Sequence, residues 1–488
     1  MVVVQSSIHL TKENLIKISS EPYTKHYIVL NDLGQGSYGK VKRVRHIKLN
    51  EIRAMKIVSK KSSSSSNEIQ ALRKISHPNI VNIHEIFEDT HQYYIMSEYC
   101  EGGELFDAIT SKGFYSELDA AKIIKQILQA VTYLHDNNII HRDLKPENIM
   151  LLSNKNNETS LKLIDFGTVV EKPTFGNKLT KFIGTSYYIA PEVIKESYDE
   201  KCDVWSCGII LYILLCGYPP FNGASNHEIY NAIKFSKLIF QKEEWTDISK
   251  EAIELITFML DKNPLTRPSA YECLNHKWFK VCEGNISHTF LHSNTLITNK
   301  TKLLDSMARF VQQNKFKQAV LQFISTEFNL KKEEEELKKM FKEFDNEDKG
   351  TISREVFIKQ IEKLEGGVVS RDIISEIFTR LDLDGSGNIS YNEFLTSIID
   401  GQKILTEDRL EKAFKTLDRD ENGFLSIDEI KSFFGGDEET WKKVLKEVDK
   451  NGDGEVDFEE FKIIMIGFDP KEIVGEATIR GEEDDDEE

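Results

Sequence analysis

HRDLKPEN, residues 141–148, decides how the rest of this chain is read. It offers Asp143 as the group that accepts a hydroxyl proton, Lys145 as a cation for a transferring γ-phosphate, and Asn148 as a Mg²⁺ ligand. Downstream, IDFG supplies Asp165 as a second metal ligand. GTSYYIAPE, ending at Glu192, then DVWSCG and the pair Arg267–Pro268 follow in order. Any one of these triplets could arise from chance or core packing, but the ordered set points to phosphoryl transfer.

Upstream, GQGSYG carries Gly34, Gly36 and Gly39. A dinucleotide fingerprint would need a helix immediately after these glycines. Here a strand pattern follows, and AMK puts Lys56 on the next strand, where it can neutralise the α- and β-phosphates beneath a Gly-rich flap. Strand-like segments run to about Tyr99 and helical periodicity begins at about Glu104, which predicts a small β-rich lobe joined to a larger helical one. Within the first lobe the serine run Ser62–Ser66 reads as a low-complexity loop.

The far end of the chain follows a different rule. Loop-like segments begin at Asp345, Asp382, Asp418 and Asp449, each between helical stretches. A calcium loop places oxygen ligands at positions 1, 3, 5, 7 and 9 and a bidentate Glu at 12, with Gly at 6. DLDGSGNISYNE supplies Asp382, Asp384, Ser386, the carbonyl of Asn388 and Glu393. DRDENGFLSIDE supplies Asp418, Asp420, Asn422, the Phe424 carbonyl and Glu429; DKNGDGEVDFEE supplies Asp449, Asn451, Asp453, the Glu455 carbonyl and Glu460. The apolar residues at position 8, Ile389, Leu425 and Val456, should pair neighbouring loops through short strands. The first repeat, DNEDKGTISREV, departs: Lys349 replaces an oxygen ligand and Val356 the bidentate carboxylate, so it is expected to be a structural partner of the second loop. Three calcium sites are therefore expected.

Between the two regions, apolar residues at Leu303, Met307, Phe310, Val311, Val320, Phe323 and Ile324 step by three and four, with Lys302, Arg309, Lys315 and Lys317 opposite. This is a basic amphipathic helix, suited to a calmodulin-type groove or a membrane surface.

Bulk properties narrow the rest. The 488 residues allow two to four domains at about 150 residues each. A net charge of -18 argues against nucleic acid as the main partner, and Glu482–Glu488, all carboxylates, read as a solvated tail. Six cysteines without a C-x-x-C pair suit a reducing compartment. The most apolar run, from Cys207, breaks at Gly217, short of the ~20 residues needed to span a bilayer. The amino terminus shows no signal-peptide pattern, and Val2 replaces the myristoylated glycine, so a cytoplasmic location is expected.

On these motifs, residues 27–279 resemble a eukaryotic serine/threonine protein kinase domain. The resemblance implies a bilobal α+β fold that binds Mg-ATP. Leu33, Val41, Ala54 and Met150 would enclose the adenine, Glu98 and Cys100 would offer hinge bonds, and Ser97 would sit behind the base. Glu68 would pair with Lys56 across a short gap, so its helix should begin close to the glutamate. Glu104, at the mouth of the ATP site, and Glu147 would favour a basic residue before the phosphoacceptor. Lys181, beside Thr180, stands near the position where many such enzymes carry an activating phosphate.

The whole order resembles the calcium-dependent protein kinases of plants and apicomplexan parasites. It implies an extension (1–26), the kinase domain (27–279), a junction with an autoinhibitory helix (280–330), an all-α calmodulin-like domain of four EF-hands (331–470) and an acidic tail (471–488). The implied partners are ATP, calcium and protein substrates with basic residues before the phosphoacceptor, for a monomeric enzyme. Two rival readings are a calcium-sensing scaffold with a dead catalytic domain and an enzyme that answers to separate calmodulin. Intact Lys56, Asp143, Asn148 and Asp165 argue against the first, and the fused loops make the second unnecessary.

Overall fold

Alternating apolar and polar residues build the first lobe as one sheet of β1 (Ile18–Ser19), β2 (Tyr27–Gly36), β3 (Gly39–His46), β4 (Ile52–Ser59), β5 (Ile83–Glu88) and β6 (Gln92–Glu98). A computed structural model supplies this description. It describes residues 16, 18–36, 39–62, 65–153, 159–173, 177–284, 307–308, 310–311, 315–328, 338, 340–345, 347–365, 369–398, 405–436 and 438–466. The strand order is β1-β5-β6-β4-β3-β2, with β1 parallel to β5 and the other pairs antiparallel. Strand β1 falls in the stretch expected to be an extension; two residues are too short to show a period.

The central strand β4 sets the site. Lys56 lies opposite Val41 and Ile95, and Ala54 lies opposite Ser97. Successive side chains point to opposite faces, so Ala54 and Lys56 share one face while buried Arg53 and Met55 share the other. Helix α1 (Ser65–Lys74) follows, with Glu68 in its first turn. Ser65 and Ser66 are helical, which corrects the reading of the serine run as loop throughout: the buried Ser65 hydroxyl donates to the Ser62 carbonyl at 2.8 Å.

The second lobe contains the short strands β7 (Ile139–Ile140), β8 (Ile149–Leu151), β9 (Leu161–Leu163) and β10 (Val170–Glu171), and α2 (Leu105–Lys112), α3 (Glu117–Asp136), α4 (Pro191–Ile194), α5 (Lys201–Cys216), α6 (Asn226–Phe235), α7 (Lys242–Trp245), α8 (Lys250–Met259), α9 (Ala270–Leu274) and α10 (Lys277–Gly284). Ser116 caps α3 by accepting the Asp119 N–H, and Glu117 and Asp119 complement the positive end of the helix dipole. Helix α5 buries every residue from Cys202 to Leu215 and has no polar face, as expected of a helix in the middle of a large core. It stops at Gly217, whose φ of +85° suits glycine and whose N–H closes onto the Ile213 carbonyl. No described helix is long and apolar enough to cross a membrane.

Helix α11 (Lys315–Glu327) and the EF-hand repeats form a separate core. The repeats are built from β11 (Thr351–Ser353), α12 (Arg354–Glu365), α13 (Arg371–Leu381), β12 (Asn388–Ser390), α14 (Tyr391–Ile398), α15 (Glu407–Leu417), β13 (Phe424–Leu425), α16 (Ile427–Phe434), α17 (Glu438–Val448), β14 (Val456–Asp457) and α18 (Phe458–Ile466). The position-8 residues pair as their spacing predicts: Ile352 with Ile389, and Leu425 with Val456. Helix α11 is sealed into this core by Phe316, Val320 and Ile324, each at 0% exposure. Leu303, Lys302, Arg309 and the acidic tail lie outside the described residues.

This regulatory core rests against the back of the kinase lobes. Leu49, in the turn between β3 and β4, is 2% exposed and belongs to the regulatory cluster rather than to its own lobe. Beside it, Lys48 Nζ donates to the carbonyls of Lys415 (2.7 Å) and Asp418 (3.1 Å) and pairs with Glu421 at 3.2 Å. Arg53, on the buried face of β4, meets Glu327 of α11 at 2.7 Å.

Candidate active site and calcium loops

The cleft gathers the phosphoryl-transfer residues from separate elements. Lys56 Nζ donates to Glu68 Oε1 at 2.5 Å and to Asp165 Oδ1 at 2.8 Å. Burial disfavours the Lys56 ammonium, but Glu68 and Asp165 outweigh it and hold the pKa above its ordinary value. Asp165 is held below the carboxylate range: burial opposes ionisation, and Lys56 with the Gly167 N–H overcomes it. Glu68 is raised, because burial there exceeds the pull of Lys56. The short sequence gap is spanned because α1 begins just before the glutamate.

Asp143 is the hub of the catalytic loop. Its Oδ2 lies 3.0 Å from Lys145 Nζ, and its Oδ1 accepts the Thr185 hydroxyl at 2.8 Å. Lys145 also donates to Thr185 Oγ1 at 2.9 Å, so one threonine of GTSYYIAPE joins the candidate base to the candidate phosphate cation. Asn148 Nδ2 donates to the Asp143 carbonyl at 2.8 Å, which leaves its Oδ1 as the oxygen donor for a metal. The β8 (Ile149–Leu151) and β9 (Leu161–Leu163) ribbon sets Asn148 beside the segment carrying Asp165, with the Ile164 N–H donating to the Asn148 carbonyl at 3.1 Å. One amide oxygen and one ionised carboxylate brought together this way fit Mg²⁺.

The nucleotide end is less polar. Gly36 pairs with Gly39 across the β2–β3 hairpin, and Gly34 with Val41; Leu33 is exposed on β2. Ser97 Oγ donates to the Ala54 carbonyl at 3.4 Å. Glu98 turns its carboxylate to Lys162 (2.9 Å) and the Asn82 N–H (2.6 Å), and its own N–H donates to the Asn82 carbonyl at 3.0 Å, so its backbone carbonyl is what remains for a nucleotide. Cys100 is buried, and Glu104 bridges to Met150. Burial and the nearby Asp107 and Glu147 raise the Glu104 carboxyl, with Lys145 pulling the other way.

Sequence reasoning missed the supports. Asp203, at 0% exposure, accepts the N–H groups of His141 (2.9 Å) and Arg142 (2.8 Å) and faces His135 Nε2 at 2.9 Å. Burial opposes its charge, yet these donors hold it below the usual carboxylate range. Arg142 has φ +71°, an unusual backbone immediately before Asp143, and Asp203 pins it. Glu192 and Arg267 form a buried two-pronged pair at 2.5 and 2.9 Å. DVWSCG was the available signal for Asp203, and the APE and RP motifs for the pair.

In the second, third and fourth loops the position-12 carboxylates curl back over the loop start. Glu393 Oε1 accepts the Leu383 and Asp384 N–H groups, Glu429 Oε1 those of Arg419 and Asp420, and Glu460 Oε1 those of Lys450 and Asn451. Asp382, Asp384 and Glu393 bring carboxylate oxygens within 4.8 Å of one another, as do Asp418, Asp420 and Glu429. Crowding has a cost: burial and Asp384 push the Glu393 carboxyl up to about 7. Asp418 Oδ1 is buried with no hydrogen-bond donor among the described residues. Repelling carboxylates and an orphaned oxygen fit a divalent cation of the oxygen-seeking kind. Ser386 Oγ donates to the Asn388 carbonyl at 2.9 Å, bringing positions 5 and 7 together. In the fourth loop Asp449 accepts the Gly454 N–H, Asn451 that of Asp453, and Asp453 that of Glu455.

A bilobal fold with this cleft, followed by paired EF-hands, defines a protein kinase with a calcium-sensing module in the same chain. Residues 27–279 match the protein kinase domain family, and residues 334–399 and 407–466 match the EF-hand domain pair. Over 95% of its length the chain is 38% identical to calcium-dependent protein kinase 4 of Plasmodium falciparum (isolate 3D7), covering 91% of that protein. It is 39% identical over 92% of its length to calcium-dependent protein kinase 4 of Plasmodium berghei (strain Anka), covering 88%. To calcium-dependent protein kinase 5 of Plasmodium falciparum the figures are 37%, 89% and 77%. The chain belongs to the calcium-dependent protein kinases: it is a calcium-activated serine/threonine protein kinase.

Proposed function

We propose that the junction helix inhibits the kinase until calcium fills three loops, and that Asp143, Lys145, Lys56 and Glu68 carry the transfer. The carrying observation is the burial of α11 in the regulatory core while Lys56, Glu68 and Asp165 stand joined in the cleft. A helix whose apolar face is held by EF-hands is unavailable to block a substrate site. Without calcium the EF-hand groove closes, and α11 is released toward the kinase.

In the transfer, Asp143 accepts the hydroxyl proton of the substrate serine or threonine as the hydroxyl oxygen attacks the γ-phosphorus and the bond to the β-phosphate oxygen breaks, with ADP as the leaving group. Lys145 holds the transferring group, and Thr185 keeps both side chains in register. Lys56, steadied by Glu68, holds the α- and β-phosphates. Magnesium, bound by Asn148 and Asp165, would supply charge neutralisation across the phosphates. Glu104 and Glu147 select a basic residue before the phosphoacceptor. Calcium is held by the second, third and fourth loops through their five oxygen positions each, and the first binds none. A monomer working in the cytoplasm suits the reading.

The test is phosphate transfer from Mg-ATP to a basic serine peptide, with excess calcium and with chelator. Activity in calcium alone supports the switch; equal activity in both rejects autoinhibition. A chain truncated near residue 285 should be active without calcium, and retained calcium dependence there would sink the role given to the junction.

A further inference from the structure

The first repeat has lost its calcium ligands, yet its loop is not idle. Asp345 accepts the N–H groups of Lys349 (2.8 Å) and Gly350 (2.7 Å), so the loop closes on its own first residue. Lys349 turns outward to Glu347 at 2.7 Å and lies over the Tyr271 ring of the kinase at 5.7 Å. Asp348, at position 4, accepts from Gln129 Nε2 and lies 3.7 Å from Lys125 Nζ, both on α3 of the large lobe. Gln129 is 4% exposed and the Asp348 side chain 27%, so the contact is partly buried. At Gly350 (φ +73°) the backbone comes so near the kinase that an added Cβ would meet His77 Nε2 at 2.9 Å and Tyr133 Cδ2 at 3.1 Å.

Position 4 is not a calcium ligand in this loop type. The second and fourth loops carry Gly385 and Gly452 there. The first and third carry acids, Asp348 and Glu421, both at positive φ, and each reaches the kinase: Asp348 the large lobe, Glu421 the small lobe through Lys48.

We propose that position 4 of the first loop is a docking hook, and that the first repeat is kept to seat the regulatory domain on α3 rather than to bind an ion. The proposal deepens the calcium-switch reading and rests on it: calcium acts in the other three loops, and the hook turns their state into contact with the kinase. The hook holds its shape without an ion because Asp345 does the closing.

The test uses the full chain. Asp348→Lys opposes Lys125 and removes the acceptor of Gln129; loss of one charge-assisted hydrogen bond at this partly exposed site should weaken docking about tenfold, less than at a fully buried pair. Shared over three ions, the calcium for half-maximal activity should rise about twofold, with calcium stoichiometry unchanged. Adding Gln129→Glu to Asp348→Lys reverses donor and acceptor and should restore the midpoint, whereas Gln129→Glu alone, which sets two carboxylates together, should not. Independently, Gln129→Cys with Asp348→Cys should cross-link in calcium under oxidised glutathione. The hook is overturned if Asp348→Lys leaves the midpoint unchanged, if Gln129→Glu fails to rescue it, or if no cross-link forms. A wild-type chain indifferent to calcium but cross-linked by the cysteine pair would reject the switch and keep the hook.

Discussion

Replacing Glu327 by alanine tests whether the docked regulatory domain supports the active cleft. Arg53 is 1% exposed and lies one residue from Ala54 on the strand that carries Lys56. Breaking a buried ion pair by removing one partner costs about 3–5 kcal/mol. Arg53 would keep part of its shell: the Tyr27 hydroxyl at 2.5 Å, Glu85 at 3.3 Å and the carbonyl of residue 327 at 3.2 Å. The loss is therefore nearer that of one hydrogen bond to a charged group, about 2 kcal/mol. At 1.4 kcal/mol per factor of ten, docking weakens roughly 30-fold. If three calcium ions drive docking together, the calcium for half-maximal activity rises about threefold, the cube root of that factor. A docked population of 99:1 at saturating calcium falls to about 3:1, so maximal activity drops by roughly a quarter. Peptide phosphorylation across a series of calcium buffers measures both. A second variant guards against simple loss of folding: Arg53→Met with Glu327→Met removes both charges, leaves no orphan, and should recover much of the midpoint. An unchanged midpoint in Glu327→Ala would refute the idea that this contact links the regulatory domain to β4.

Other variants probe the remaining parts. Asp143→Asn should lower transfer by about 10²–10⁴ while ATP still binds, as titration of the nucleotide would show. Glu429→Gln should reduce the calcium bound at saturation by one ion, read by calorimetry, because it removes one bidentate oxygen from the third loop. Leu49→Ala, at the anchor buried in the regulatory core, should cost about 2–5 kcal/mol of docked stability and raise the calcium midpoint more than Glu327→Ala does. Burial, against the pull of Arg53, pushes the Glu327 carboxyl up to about 7. The docked form thus holds a proton that an exposed carboxylate releases near pH 4.3, and docking weakens as pH rises through that window. Glu327→Gln should flatten this dependence, and a calcium midpoint with the same pH slope in both proteins would contradict it.

What was legible in the sequence divides along a physical line. That Lys56, Asp143, Asn148 and Asp165 belong together could be expected because phosphoryl transfer fixes residue type and order along the chain, and the fold gathers them in one cleft; the loop carboxylates could be grouped because each loop is one twelve-residue segment. Asp203 and Thr185 were not assigned roles, since they act through contacts between segments that no local spacing reports. The docking face was unreadable for a related reason. Leu49 looks like a chance apolar residue in a polar turn, and Arg53 like an exposed strand charge. Their environment is supplied by helices more than 250 residues away in sequence. Periodicity showed that α11 has an apolar face, but not whether the EF-hands or the kinase cleft covers it.

The same division bears on how the switch is set. Moving a two-state equilibrium from 1:99 to 99:1 takes about 5.5 kcal/mol of differential binding. Shared over the three loops proposed to bind calcium this is roughly 2 kcal/mol each, within reach of sensor sites. A ligand shifts an equilibrium only by its difference in affinity for the two states. The contacts at Arg53–Glu327, Leu49 and Gln129–Asp348 bind no calcium, so they enter the balance as a fixed bias toward the docked state. Changing them moves the starting ratio, and hence the calcium concentration at which the kinase turns on, without touching a ligand. On the proposal that the first loop binds no calcium, it is well suited to that role, because a substitution at Asp348 alters the bias without touching a calcium ligand of another loop.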